Sequence, residues 1–490
     1  MTIILESIEH QYEAVIGLEV HVQLSTLSKA FCSDSASFGN LPNQNISAVS
    51  LGLPGALPLC NEKIIRYATK LGLAVKSKIN RYNFFDRKNY FYADLPKGYQ
   101  ITQDNQPICI GGHLKIRLEN GVEKEIILNR IHMEEDAGKS IHDIDNQYSF
   151  IDLNRAGVPL LEVVTEPMIS SGEEAAAYLA ELRKLVRYLD ICDGNMEEGS
   201  MRCDANVSIR LKGDKTLGNR CEVKNLNSIK NVQKAIEHEI KRQIKLVSKG
   251  ERIEQNTLNF DAVTGQTSPL RSKEMANDYR YFPEPDLLPL VLSDEFINQI
   301  KSEMPVLPEE LYQKFTSEMN LPSYDALVLT SEKNMADYFV EVTKFTAHYK
   351  MASNWMMGTI KSYLNDHQMG FDQFKIPPSE IAAIINLVED KAINHHQAKD
   401  QLFNSLILEP YKRVSDLVKE LNLLAKNDND ELSLFIEKAV ERFPDKVKEY
   451  HNGKKGVLGL FMGELMKLSK GKIDPQNANK LLIEKIESLR

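Results

Sequence analysis

In the stretch 14–24, AVIGLEVHVQL, apolar and polar side chains alternate without a break from Leu18 to Leu24. Successive side chains of a β-strand point to opposite faces, so this period predicts a strand whose apolar residues face a core. The other face then carries Glu19, His21 and Gln23 in one row. Exposed strand faces more often carry Lys, Thr or Ser, whereas these three groups are able to bind a cation or a metal held by phosphates. The stretch therefore predicts a sheet with a polar site on one face.

Three other predicted strands carry similar groups. In VPLLEVVTEP, Glu162 lies among almost wholly apolar neighbours. A buried carboxylate is costly unless it is paired or binds a metal. The stretches are SMRCDANVSIRL with Arg202 and Asp204, VPLLEVVTEP with Glu162, and HMEEDAGKS with Glu134 and Glu135 after His132.

Acidic residues on several strands, together with one histidine, suit Mg²⁺ or Mn²⁺ better than a closed zinc site. Hard cations take oxygen ligands, and bound phosphates supply several of them. For any single stretch, a solvated strand face with salt bridges is the more ordinary explanation. Taken together, acids on one sheet repel each other unless a cation joins them, which favours a metal site.

The composition is that of an ordinary globular protein. Of 490 residues, 42% are apolar and 26% are charged, and the length predicts about two to three domains. We find no long apolar span, no basic leader and no C-x-x-C pair among the six cysteines, so we expect a cytoplasmic protein without a membrane partner. The net charge of −9 argues against nonspecific binding of the whole protein surface to nucleic acid. Residues 446–490 nevertheless hold ten Lys and Arg against five acids, which is compatible with one local polyanion contact.

Periodicity divides the chain into a mixed first part and a helical second part. Up to about residue 290, strands are interspersed with a few helices, among them residues 170–190 and 228–250. The proline-rich stretch FPEPDLLPL ends this part, and helical patterns follow one another from Ser293 onward. We therefore predict an α+β fold, with a large body of mixed or antiparallel sheet followed by all-α domains.

Basic and aromatic residues interleave in DRKNYFYADLPKGYQITQ and again in RSKEMANDYRYFPEPD. Such mixtures can stack a base and hold phosphates, but the bare pattern is weak because aromatic residues usually belong to a core. The sequence has no P-loop, dinucleotide fingerprint, kinase signature or nucleophile elbow. Any ATP must therefore be held by a less common fold.

In this order, the stretches resemble one family, the GatB subunits of the aspartyl/glutamyl-tRNA(Asn/Gln) amidotransferases. The resemblance covers most of the first 290 residues, and the tail GVLGLFMGELMKLSKGKIDPQNANKLL is similar to the family's small helical tail domain. It implies a catalytic domain over residues 1–292, a helical domain over 293–410 and a tRNA-binding tail domain over 411–490. It rests on IGLEVHVQL, LGLPGALP, DRKNYFYADLPKGYQITQ, IHMEEDAGKS, DLNRAGVPLLEVVTEP, MEEGSMRCDANVSIR, EVKNLNS and RSKEMANDYRYFPEPDL.

The resemblance implies an ATP- and Mg²⁺-dependent amidation of tRNA misacylated with Glu or Asp. ATP phosphorylates the side-chain carboxylate, and ammonia then displaces the phosphate to leave an amide. This chain has no glutaminase signature, and in the family a separate amidase, the A-subunit, supplies the ammonia while a small C-subunit completes a heterotrimer. The implied catalytic and metal-binding residues are Glu19, His21, Glu134 and Glu162.

The resemblance also implies two sets of nucleic-acid contacts. For the tail, a solvated lysine-rich helix is about as good an explanation without the resemblance. The residues expected at the nucleotide and the tRNA acceptor end are Arg87, Lys88, Lys97, Arg202, Asp204, Arg271 and Lys273. Those expected at the tRNA body are Lys454, Lys455, Lys467, Lys470 and Lys472.

The chain departs from the family pattern in two places. Many relatives carry four cysteines of a structural zinc site where this chain has Cys32, Asp34, Ser47 and Ser50. Tetrahedral zinc cannot be held with three of four thiolates missing, so we expect no structural zinc. Before the RSKE motif, the family's Glu-Thr-Arg and Trp are replaced by Asn256-Thr257-Leu258 and Phe260, which puts any contact made by that loop in doubt.

Two other functions stay open at this point. The chain could be a non-catalytic adaptor that docks tRNA onto an amidase, its acids being only structural, or a metal-dependent hydrolase that uses the same ligands on another phosphate ester. The sequence does not decide between Asp and Glu as the acyl group, nor between Glu134 and Glu135 as the metal ligand.

Overall fold

The computed structural model describes residues 10–142, 144–145, 147–271, 279–424, 429–469, 473 and 475–489. The chain divides into two compact units, the first ending at Leu307 and the second beginning at Pro308. The first unit combines a large sheet with helices and the second is helical, which confirms the predicted α+β class.

Two of the predicted strands, 158–166 and 200–211, correspond to the observed strands Pro159–Thr165 and Met201–Leu211. The strands are β1 (Tyr12–Gln23), β2 (Lys78–Ile79), β3 (Tyr82–Asn83), β4 (Asp86–Asn89), β5 (Tyr99–Thr102), β6 (Cys109–Ile110), β7 (His113–Arg117), β8 (Glu123–Glu135), β9 (Lys139–Ile141), β10 (Phe150–Asp152), β11 (Pro159–Thr165), β12 (Met201–Leu211), β13 (Cys221–Leu226), β14 (Thr257–Asp261), β15 (Gln266–Arg271), β16 (Arg280–Pro283) and β17 (Leu290–Val291).

Ten of these strands form one sheet within the described residues, in the order β15-β14-β13-β12-β1-β11-β8-β6-β2, with β7 also paired to β8. The pairs are antiparallel except for β13 with β14. A smaller sheet joins β16, β4 and β5, while β9 pairs with β10 and β17 with β3. The stretch quoted first, β1, therefore lies at the centre of the large sheet.

One face of the large sheet is covered by helices α1 (Glu62–Ala74), α2 (Gly172–Tyr188) and α3 (Ile229–Ser248). The apolar residues of β1, Leu18, Val20 and Val22, are fully buried on this side. Each helix begins where a side chain accepts a backbone N–H, as Ser171 does from Glu174 and Ser228 from Asn231. Because side chains alternate, the polar residues of β1 all point to the opposite face.

Leu258 and Phe260 of β14, the two apolar residues at which the sequence departs from the resemblance, belong to the core. Leu258 and Phe260 are both buried, while the hydroxyl of Thr257 donates to Glu222 Oε2 over 3.0 Å. The substitutions therefore leave this strand paired and packed.

Helix α4 (Asp294–Ser302) belongs to the first unit, where Arg66 Nη2 on α1 lies 2.7 Å from Glu303 Oε2. The predicted borders at residues 292 and 410 stay predictions. The α-helices of the second unit are α5 (Pro308–Gln313), α6 (Ser323–Leu329), α7 (Lys333–Val342), α8 (Tyr349–Trp355), α9 (Lys361–Asp366), α10 (Pro378–Glu389), α11 (Asn404–Leu408), α12 (Val414–Glu420), α13 (Asn429–Arg442), α14 (Pro444–His451), α15 (Leu458–Leu468) and α16 (Pro475–Ser488). Wider π-helical turns lie at Lys314–Glu318, Met356–Ile360 and Gln397–Phe403. Across the described residues, no helix is both long and apolar enough to span a membrane.

Candidate active site

Strand register brings the polar residues of four strands onto one face of the large sheet. His21 on β1 is paired with Glu162 on β11 and with Arg202 on β12, and Glu162 is in turn paired with His132 on β8. Directly paired residues of antiparallel strands point to the same face. Glu134, two residues after His132, joins them on that face.

Two imidazoles and two carboxylates form a closed group at the centre of this face. His21 Nε2 lies 3.4 Å from Glu134 Oε1 and 3.6 Å from Glu162 Oε2. His132 Nε2 lies 3.2 Å from Glu162 Oε2 and 3.8 Å from Glu134 Oε2. Each histidine therefore lies between the same two carboxylates, with His132 buried and His21 partly open to solvent.

Within the described chain, His21, Glu134 and Glu162 are the group able to hold a metal ion, since one ligand atom from each lies within 4.8 Å of the others. One nitrogen and two carboxylate oxygens fit Mg²⁺ or Mn²⁺, whose remaining positions are commonly filled by water and phosphate oxygens. The donor set and its spacing thus agree with a divalent cation.

The electrostatics of the group favour the ionised form of Glu162 and the protonated form of His132. Burial alone would raise the pKa of Glu162, but the charges of His132, His21 and Lys88 outweigh burial and lower it. Burial alone would lower the pKa of His132, but the carboxylates of Glu162 and Glu134 raise it to about 9. Ionised carboxylates are the form that binds a cation.

Glu19 lies on the same face but outside the group of three. Its Oε1 accepts a hydrogen bond from Asn206 Nδ2 over 2.9 Å. Burial raises the pKa of Glu19, and the nearby charges of Glu162, Glu222 and Asp204 raise it further. Glu19 therefore belongs to an acidic row that extends from the group toward β12 and β13, and its role as a metal ligand stays a prediction.

Of the three basic residues expected from the aromatic-rich stretch, Lys88 is the one electrostatically coupled to the group. Its pKa is raised although burial opposes this, chiefly because of the charge on Glu134. Its Nζ also lies 4.7 Å from the centre of the Tyr279 ring.

The other two basic residues have acidic partners of their own. Arg87 donates to both carboxylate oxygens of Glu284, over 2.7 and 2.8 Å, and lies 4.2 Å from the centre of the Tyr99 ring. Lys97 is paired with Glu135. Both side chains therefore fix the local fold, and a contact with substrate would have to break these pairs.

A cavity of about 730 Å³ opens beside the acidic row. Arg202 and Asp204 line it, as expected for the second strand, and Lys224 joins them. Arg202 Nη2 lies 2.9 Å from Asp136 Oδ2, while Lys224 Nζ lies 2.7 Å from Asp204 Oδ2. The cavity therefore presents positive groups next to the carboxylates, as a site for phosphates requires.

Sequence reasoning missed three residues of the site, and two of them had a detectable signal. His132 precedes Glu134 by two positions and therefore shares its face of the strand. Lys224 lies in EVKNLNS, one of the stretches that resemble the family. Thr102 had no signal, since its hydroxyl reaches Glu134 Oε2, over 3.2 Å, from the separate small sheet. Long-range pairs of this kind depend on the tertiary fold.

Four of the expected contact residues lie partly or wholly outside the described residues. Lys273, Lys470, Lys472 and the side chain of Arg271 lie outside the part of the chain that the structure describes. In the tail, Lys454, Lys455 and Lys467 are exposed, and Lys454 Nζ lies 3.7 Å from Glu449 Oε2. Their contact with tRNA stays a prediction.

The four positions of the relatives' zinc site come together but do not fit the metal. Cys32 Sγ lies 3.4 Å from Ser50 Oγ, the Ser50 hydroxyl donates to Asp34, and Ser47 also bonds to Asp34. The buried ammonium of Lys29 lies beside them, 3.4 Å from Ser50 Oγ. One thiol, three oxygen-bearing side chains and a lysine do not make a tetrahedral thiolate site.

Comparison with known proteins gives one consistent result. Residues 14–298 match a family model described as the GatB/GatE catalytic domain, and residues 337–486 match one described as a GatB domain. Proteins named as the B-subunit of aspartyl/glutamyl-tRNA(Asn/Gln) amidotransferase are 46% identical to this chain in Thermodesulfovibrio yellowstonii, over 97% of this chain and 99% of the relative, and in Rickettsia conorii, over 98% of both.

Proposed function

Because the chain belongs to the GatB family of aspartyl/glutamyl-tRNA(Asn/Gln) amidotransferase subunits, we propose that it is the ATP- and Mg²⁺-dependent ligase component of such an enzyme. Its reaction is the phosphorylation of the side-chain carboxylate of Glu-tRNA(Gln), Asp-tRNA(Asn) or both, followed by amidation. The observation that carries the proposal is the convergence of His21, Glu134 and Glu162 on one face of the sheet.

The chemistry explains why such a site is needed. A carboxylate is a poor electrophile, so transfer of the γ-phosphate of ATP to its oxygen creates an acyl phosphate and releases ADP. Ammonia then attacks the acyl carbon, a proton is lost from nitrogen, and inorganic phosphate leaves. A bound Mg²⁺, held by His21, Glu134 and Glu162, would neutralise phosphate charge.

The surrounding residues have supporting roles in this proposal. His132 and Thr102 hold the carboxylates of Glu162 and Glu134 in place. Lys88 offers an ammonium group for phosphate oxygens, whereas Lys224 is held by Asp204 and Glu222 at the wall of the larger cavity. These side chains come from separate elements of one unit, so the site is assembled by folding before substrate arrives.

Ammonia must come from elsewhere, because the sequence carries no glutaminase signature. We propose that an amidase, the A-subunit, supplies it from glutamine, that a small C-subunit completes a heterotrimer, and that misacylated tRNA is the substrate. The relatives are named as one subunit of an enzyme, which supports a complex of several subunits. The unpaired cysteines support a cytoplasmic location.

One experiment separates this function from its alternatives. The chain is incubated with its partner proteins, γ-³²P-labelled ATP and Glu-tRNA(Gln), and the tRNA is analysed for label and for Gln. Transient label on the tRNA followed by Gln supports the ligase. Absence of both label and amide would favour an adaptor, and ATP or tRNA cleavage without amide would favour a hydrolase.

A further inference from the structure

A second cavity of the first unit is lined by cations that have no acidic partner. It encloses about 630 Å³ between the last turns of α2 and the start of α3. Arg183, Arg187 and Lys230 line it. Among the described residues, none of these three forms an ion pair, although the chain as a whole carries a net charge of −9.

Arg183 is held in position for a ligand. Its aliphatic stem packs against Gly194, where an added Cβ would lie only 2.7 Å from Arg183 Cγ. The φ of +68° at Gly194 also disfavours any side chain there. Arg183 Nε is buried and has no hydrogen-bond partner within the described chain. A buried donor left without an acceptor is costly, so Arg183 retains hydrogen-bonding capacity that the described residues do not satisfy.

The start of α3 adds to the positive potential. Helix α3 is 20 residues long and has no acidic residue in its first turn. Ser228 caps the amide of Asn231, and the dipole of the helix makes its amino end favourable for anions. Of the acids that line the cavity, Asp193 is turned into its own loop, where it accepts from Asn195 N over 2.8 Å.

The cavity adjoins the candidate active site. Met196, Glu197 and Asn227 line both this cavity and the larger one that contains Arg202, Asp204 and Lys224. A chain of phosphates whose end occupies the larger cavity could therefore continue into the smaller one. Two flexible cations and one fixed arginine suit phosphodiester groups, which are recognised by charge and by guanidinium hydrogen bonds.

We propose that Arg183, Arg187, Lys230 and the start of α3 form a phosphate-binding subsite for the RNA substrate, next to but separate from the metal group. The inference rests on the proposed function, since it takes the polynucleotide to be tRNA. The subsite binds the phosphate backbone of the RNA, whereas ATP binds at the group formed by His21, Glu134 and Glu162.

Binding of a tRNA(Gln) transcript to the full-length chain, measured by fluorescence anisotropy at several salt concentrations without ATP, tests the proposal. The double variant Arg183→Gln/Arg187→Gln should bind about tenfold more weakly at 0.1 M salt, and the slope of log affinity against log salt should fall by about 2. Lys230→Gln should lower the slope by about 1. The control Lys234→Gln/Lys249→Gln removes two charges outside the cavity, one from α3 and one from its C-cap, and should bind as the wild type does.

The outcomes are distinct. Unchanged affinity and slope in folded cavity variants would overturn the subsite while leaving tRNA as substrate. The subsite would also be overturned if the control variant lost as much tRNA affinity as the cavity variants. It would likewise be overturned if the cavity variants bound ATP more weakly but tRNA as the wild type does. Failure of the wild-type chain to bind tRNA would instead contradict the proposed function itself, on which the subsite rests.

Discussion

His21 and Glu162 are directly paired residues of two adjacent antiparallel strands, and His21 Nε2 lies 3.6 Å from Glu162 Oε2. The pairing places an imidazole and a carboxylate on the same face at the centre of a large sheet. His132 and Glu134 from the next strand complete the group. Strand β11 is paired through backbone hydrogen bonds with β1 on one side and with β8 on the other. The ligand atoms on these three strands are therefore held together before any cation binds.

Removal of the Glu162 charge should weaken metal binding. Glu162→Gln keeps the shape of the side chain but replaces one ligand oxygen by an amide, so we expect the Mn²⁺ affinity of the full chain to fall by about tenfold or more. Electron paramagnetic resonance of free Mn²⁺ measures this. Glu166→Gln, a matched loss of charge just beyond the same strand, should leave the affinity unchanged, and equal losses in both variants would contradict the assignment.

The hydroxyl of Thr102 should position Glu134. Thr102→Val keeps the shape of the side chain but removes the donor 3.2 Å from Glu134 Oε2, so we expect phosphorylation of Glu-tRNA to slow by about 10- to 100-fold and Mn²⁺ affinity to fall with it.

Thr102→Ser restores the donor and provides the control for this prediction. It should recover most of the affinity and of the rate, whereas a purely structural role of the Thr102 methyl group would leave Ser no better than Val. Thermal unfolding of both variants shows whether either change disturbs the fold.

The sequence predicted the elements of the sheet well, because alternation is a local signal. β1, β11 and β12 lie where their periodicity places them, and α2 lies within the predicted residues 170–190. Alternation alone did not distinguish Glu134 from Glu135, since the faces of β8 were unknown. In the structure Glu135 accepts from Ile101 N over 2.9 Å, while Glu134 faces His21.

The parts of the site that sequence reasoning could not supply depend on contacts between distant segments. Thr102 reaches Glu134 from another sheet, and Arg87 is engaged by Glu284 almost 200 positions later in the chain. Charge patterning along the chain contains no information about such partners. For this reason Arg87 was expected at the substrate, although the structure pairs it with two acids.

Glu174 should contribute stability in a pH-dependent way. Burial raises its pKa, but Lys124 and the donors of Ser170 outweigh burial and lower it below the ordinary value of 4.5. A carboxylate with a lowered folded-state pKa stabilises the fold above pH 4.5, and this contribution is lost as the pH falls through the folded-state pKa.

We therefore expect Glu174→Gln to cost about 1–2 kcal/mol of unfolding free energy at pH 7, with the difference from wild type shrinking below pH 4.5. Urea unfolding at a series of pH values measures this. Glu173→Gln removes an exposed charge from the same turn and should cost less. A difference that persists unchanged at pH 3 would contradict the role of the charge.

The four positions 32, 34, 47 and 50 should bind zinc when all of them carry cysteine. Cys32, Asp34, Ser47 and Ser50 are already joined by hydrogen bonds, so Asp34→Cys/Ser47→Cys/Ser50→Cys brings four thiols close together. We expect about one zinc per chain in this variant and none in the wild type by elemental analysis of the purified proteins. Stoichiometric zinc in the wild type would contradict the expectation.

The central claim is that His21, Glu134 and Glu162 hold the divalent ion at which phosphate is transferred. The most direct test is anomalous X-ray scattering from a crystal of the chain that contains Mn²⁺ and a non-hydrolysable ATP analogue. We expect an anomalous peak within bonding distance of His21 Nε2 and of one carboxylate oxygen from each glutamate, beside the analogue's phosphates. Bound analogue with its Mn²⁺ coordinated by other residues would contradict it.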